Sequence, residues 1–160
     1  MMEKQTLITA MKNSISSVLE TMFFLPLDFS DTDDRVEVWS RDQRGVVISK
    51  MNFHGPFKGH FIFLLPEELA MSLAASFMGK DDESISQDHV IETAKEIINM
   101  IAGNTFSNYD DQAVFHLDIP QLIHFNEVYE ADSSSEEALS ITINTLGNRF
   151  ALRMVIINKG

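Results

Sequence analysis

Apolar residues near the start of the chain recur at three- and four-residue steps: Ile8, Met11, Ile15, Val18, Leu19 and Met22. That spacing predicts a one-sided helix over about Glu3 to Phe24. Pro26 stops it, because proline biases its predecessor away from the helical region. An acidic loop follows, Asp31 to Asp34. The pattern then changes to period two over Val36–Trp39, Val46–Phe53 and Phe57–Leu65, which predicts three strands. Turn formers separate them at Asp42-Gln43-Arg44-Gly45 and His54-Gly55-Pro56, so the strands read as an antiparallel meander.

Pro66 opens a second predicted helix with Glu67 and Glu68 in its first turn, where carboxylates favour the helix dipole. It runs to Phe77 and stops near Gly79. Lys80–Gln87 is a polar loop, and Ser86 or Asp88 is placed to cap a third helix over about Asp88 to Phe106. That helix carries Val90, Ile91, Ala94, Ile97, Ile98, Ile101 and Ala102 on one side. A strand near Ala113–Ile119, Pro120 and an unassigned segment through Tyr129 come next. Glu130–Glu137 (EADSSSEE) reads as a solvated loop. Leu139–Leu146 and Phe150–Ile157 form a closing hairpin about a Gly147-Asn148 turn.

The order helix, short strand, hairpin occurs twice, around Gly55 and again around Gly147. Two α-β-β-β halves would share one mostly antiparallel sheet with the helices on one face, the second helix being the connector. The expectation is a two-layer α+β domain built from a degenerate duplication.

Composition narrows the function classes. The 160 residues contain no cysteine, which excludes disulfide scaffolds, zinc ribbons and thiol catalysis. They fit one domain, 1–160, with enough length for its own core. The longest apolar runs are five or six residues, too short for a membrane span. Lys12 arrives before any long apolar run, which argues against a signal peptide. The net charge is −12, with 12 scattered basic residues, the opposite of a nucleic-acid footprint. The class that remains is an acidic globular domain, expected to be cytoplasmic, with no nucleic-acid or membrane partner.

The third helix holds the chemistry. Steps of four, three and four place Glu92, Glu96, Asn99 and Gly103 in one lengthwise stripe, away from Ile97 and Ile101. Asparagine is a poor helix-interior residue, since its amide competes with the backbone. Gly103 costs up to about 1 kcal/mol relative to alanine and removes a side chain where a partner would approach. On these grounds alone the stripe also reads as a plain solvated face.

The string Glu96-Ile-Ile-Asn99-Met-Ile-Ala-Gly103-Asn104 resembles the signature helix of the CheC/CheX/FliY family of chemotaxis phosphatases, whose core is E-x-x-N continuing into G-N. The order of elements matches across nearly the whole chain. The resemblance implies a CheC-like fold, a CheY-type response regulator as partner, and hydrolysis of that regulator's aspartyl phosphate. Asn99 would orient the attacking water, and Glu96 would pair with the regulator's active-site lysine. Glu92, Gly103 and Asn104 would belong to the docking surface. No cofactor of the chain's own is implied, because magnesium would sit on the regulator. The chain departs from the pattern at three places: Glu92 stands where relatives often carry Asp or Ser, Pro120 comes slightly early, and Glu20 is followed at the matching step by Phe23. The last removes a second site from the first helix and makes the chain CheX-like, which implies a homodimer joined through strands. The rival reading is a non-catalytic module of the same fold that binds a receiver domain or signalling partner. A third, an unrelated acidic α+β domain, makes the motif a coincidence.

Other candidates carry less. His54, His60, His89, His116 and His124 lack ligand spacing. Asp31-Thr-Asp33-Asp34 lacks the glycine and closing glutamate of a calcium loop. Asp81-Asp82-Glu83 and Asp110-Asp111 read as solvated loops. No phosphate-cradling glycine motif is present. Phe23, Phe24, Phe57, Phe61 and Phe63 read as core or, for some of them, as part of a dimer seam.

Overall fold

The computed structural model describes residues 3–30, 45–130 and 136–157. Its elements in chain order are α1 (Lys4–Phe23), β1 (Asp28–Ser30), β2 (Val46–His54), β3 (Lys58–Pro66), α2 (Glu67–Met78) and a 3-10 turn at Asp82–Ser84. Then follow α3 (Gln87–Tyr109), β4 (His116–Leu117), β5 (Gln121–Leu122), α4 (Phe125–Glu130), β6 (Glu136–Thr145) and β7 (Asn148–Ile157). The predicted strand Val36–Trp39, the Asp31–Asp34 loop and most of the Asp42–Gly45 turn lie outside the described residues.

The strands form one antiparallel sheet in the order β1-β6-β7-β3-β2-β4, with β5 also on β2. This order is symmetric about the β7/β3 pair, and each half lends its short strand to the edge of the other's hairpin. That is the arrangement expected of two α-β-β-β halves. The helices follow the same symmetry. The Glu3 backbone N–H donates to Tyr109 Oη at 3.0 Å, and Ser14 Oγ donates to the Ile101 carbonyl at 2.6 Å, so α1 and α3 run antiparallel.

One apolar core lies between helices and sheet. Phe106 of α3 packs its ring 4.8 Å from Phe53 and 5.6 Å from Phe61, centroid to centroid. Leu7, Met11, Ile15 and Leu19 of α1 are fully buried, as are Ile97, Ile98 and Ile101 of α3.

Several expectations need correcting. The central strand β3 does not alternate: His60, Ile62 and Leu64 are buried along with Phe61, Phe63 and Leu65. A strand covered on both faces reads as a continuous apolar run. Phe24 is not core but 85% exposed, with φ of 56° as the cap after α1. The strand predicted over Ala113–Ile119 shrinks to two residues. His116 pairs with His54, the last residue of β2, and one step further the register meets Gly55 and Pro56, which has no N–H to donate. In the other direction Pro120 interrupts in the same way. The closing loop is Leu146-Gly147, with φ of 48° and 80°, not Gly147-Asn148. The unassigned segment supplies β5 and α4, and Glu130 ends α4 where a loop was expected.

Candidate functional site: an exposed stripe on the third helix

The start of α3 is fixed by Ser86. Its Oγ accepts the His89 N–H at 3.2 Å, and His89 Nδ1 accepts the Ser86 N–H at 3.1 Å. This reciprocal cap satisfies two donors that a helix start leaves unpaired. Of the two predicted capping residues, Ser86 takes the role. From there α3 runs 23 residues with Val90, Ala94, Ile97, Ile98, Ile101 and Ala102 buried against the core. That burial fixes the rotation of the helix, and with it the direction of the opposite face.

Glu92, Glu96 and Asn99 are exposed on that face, and Gly103 is half-buried. At 100° per residue these four fall within an arc of about 60°. Beyond the backbone bonds of the helix itself, neither Glu96 nor Asn99 makes a hydrogen bond or ion pair to another described residue. Asn104 is exposed as well, but it is rotated about 100° from Gly103 and so sits off the stripe. On α1, Glu20 is exposed while Phe23 is buried, so that helix presents no second Glu–Asn pair.

The absence of a side chain at Gly103 is not forced by the fold. A Cβ built there meets no atom within 4 Å, and the backbone has no positive φ. Gly59 is the opposite case: a Cβ there would overlap the Val155 carbonyl of the neighbouring strand.

One turn beyond Asn99 the stripe opens into a groove of about 310 Å³, lined by Gly103, Phe106, Ser107, Asp110, Asp111, Ala113, Val114, Phe115 and Leu117. Its far wall is held by Phe115, whose ring stacks on Phe106 at 3.9 Å with planes 6° apart. Nothing in the sequence pattern marks this groove. Its wall comes from a segment that pattern alone assigned to a strand, and its carboxylates look like any polar turn. Among the described residues no group of three or more His, Asp or Glu side chains is arranged to hold a metal ion.

A family model described as chemotaxis phosphatase CheX matches residues 47–144, a span that contains the stripe and the groove. The chain belongs to the CheX family. Solved structures share its CheC-like fold. A CheX from Borrelia burgdorferi, in complex with CheY, beryllofluoride and magnesium, is 20% identical, with 96% of this chain and 98% of that chain covered at a TM-score of 0.71. CheX from Vibrio vulnificus is 15% identical over 98% of this chain and 99% of that one, TM-score 0.71. FliY from Thermotoga maritima is 12% identical over 94% and 86%, TM-score 0.62. Among curated proteins none matches the sequence. No helix among the described residues is long and apolar enough to cross a membrane.

Proposed function

We propose that this CheX-family protein accelerates hydrolysis of the aspartyl phosphate of a CheY-type response regulator. The observation that carries the reading is the exposed Glu96–Asn99 pair, one turn apart on a helix whose rotation the core fixes. The Asn99 amide holds and orients the water in line with the phosphorus, and Glu96 pairs with the regulator's active-site lysine to fix the docked helix. An acyl phosphate already hydrolyses unaided, so positioning is the main task and the chain needs no nucleophile or strong base. A hundredfold acceleration requires about 2.7 kcal/mol, within what one well-placed donor–acceptor group supplies. Magnesium in this reading belongs to the regulator's acidic residues. Glu92 and Gly103 extend the docking surface along the stripe, and Asn104 contributes from its side.

The protein acts in the cytoplasm as a homodimer joined through strands. Membership of the CheX family is what supports this reading. Light scattering at rising concentration tests this, and a monomer throughout would contradict it.

The catalytic reading is tested by phosphate release from a phosphorylated CheY-type regulator, with wild-type protein and Asn99→Ala compared. Binding without acceleration would instead support the non-catalytic module of the same fold.

A further inference from the structure

We propose that the groove at the end of α3 receives a lysine or arginine side chain of the docked regulator, a contact separate from the one at Glu96. The inference rests on the stripe being the regulator-binding face. Its first support is continuity. Gly103 belongs both to the stripe and to the groove lining, about 6 Å along the helix from Asn99. A body that covers Asn99 and passes over the bare Gly103 backbone therefore extends across the mouth of the groove. Gly103 leaves that passage open at a cost the fold itself does not require.

The second support is the chemistry of the lining. Phe106, Ala113, Val114, Phe115 and Leu117 make an apolar trough, while Asp110 and Asp111 bring two carboxylates to it. No basic residue lines the groove, and neither carboxylate is ion-paired to a described residue. The carbonyl end of a 23-residue helix adds its partial negative charge at the same place. Apolar walls with a negative mouth match a long cationic side chain, which buries its methylene stem and keeps its head with polar partners. Val114, 68% exposed, adds apolar surface at the rim that the docked partner covers. The groove is preformed, because the Phe106–Phe115 stack fixes one wall. Hydrogen bonds to the two carboxylates hold the other: the Gln112 N–H donates to Asp110 Oδ1 at 3.0 Å, and Gln112 Nε2 donates to Asp111 Oδ1 at 3.4 Å. Each carboxylate retains further acceptor capacity.

The test measures the dissociation constants of purified CheY-type regulators, activated with beryllofluoride, by calorimetry at low and high salt. In the double variant Asp110→Asn/Asp111→Asn the amide oxygens still accept from Gln112, so the turn is kept. It is expected to weaken binding by about three- to tenfold and to flatten the salt dependence. Asp81→Asn/Asp82→Asn makes the same charge change before the start of α3, about 34 Å of helix away, and is expected to leave binding within about twofold. Because the chain has no cysteine, Ser107→Cys offers one thiol. Capping it with a bulky neutral maleimide fills the groove and is expected to weaken binding further. Equal effects of the two charge variants, no effect of the filled groove, or no binding of any activated regulator by the wild type would each overturn the proposal. Wild-type binding without accelerated phosphate release would overturn the phosphatase reading instead, and the variant constants would still decide the groove.

Discussion

Ser14 Oγ donates a buried hydrogen bond to the Ile101 carbonyl at 2.6 Å, tying the middle of α1 to α3. Ile101 lies between Asn99 and Gly103 in sequence, on the opposite face, so this bond and the packing around it hold the rotation and height of the stripe. The carbonyl keeps its own helical bond when the hydroxyl is removed. Ser14→Ala is therefore expected to cost about 1 kcal/mol, a fall of about 2–4 °C in melting temperature, read by a thermal melt. An unchanged melt would contradict this account of how α1 and α3 are joined.

Two glycines should respond to alanine in opposite ways. At Gly59 the new methyl would overlap the Val155 carbonyl, so the central β3/β7 pair must separate. A loss above about 3 kcal/mol is expected in urea unfolding. At Gly103 the methyl meets open space, and alanine is the better helix former. Gly103→Ala is expected to gain up to about 1 kcal/mol of stability while weakening regulator binding. A variant that is both more stable and equally tight in binding would remove Gly103 from the docking surface.

Leu146 occupies a left-handed backbone conformation, φ 48°, in a two-residue hairpin loop where asparagine followed by glycine is favoured. It is also 69% exposed, so little packing is lost by replacing it. Leu146→Asn is expected to raise stability by about 1 kcal/mol, measured as a shift in the denaturation midpoint at constant slope.

The parts of this fold legible in the sequence were those set by local periodicity. The α3 stripe could be read because Ile97, Ile98 and Ile101 fix the buried side, which leaves Glu96 and Asn99 outside. The hairpin of β6 and β7 is visible for the same reason, although the pattern places its loop one residue late. Period two overstates β4, because the register of His116 on His54 runs off the end of β2, a fact held about sixty residues upstream. β3 lies within one residue of the strand the pattern predicts, and only the expected alternation is absent, because both of its faces are buried. The groove was illegible because it depends on Phe115 folding back onto Phe106, and stacking leaves no periodic mark.

Exchanging the single charge at the working pair separates docking from chemistry. Glu96→Gln keeps the shape of the side chain and removes the charge proposed to meet the regulator's lysine. It is expected to weaken binding of an activated regulator by about tenfold, with Asn99 still able to hold water once the complex forms. Unaltered affinity at low and high salt would rule out the lysine contact.

The most direct measurement is single-turnover loss of the aspartyl phosphate from a saturating complex of regulator with wild-type protein or Asn99→Ala, with binding measured in parallel. The account predicts that the variant still binds within a few-fold (about 1 kcal/mol or less), while its complex dephosphorylates at the regulator's own unaided rate. Acceleration that survives loss of the Asn99 amide, with the regulator bound, would contradict the central claim.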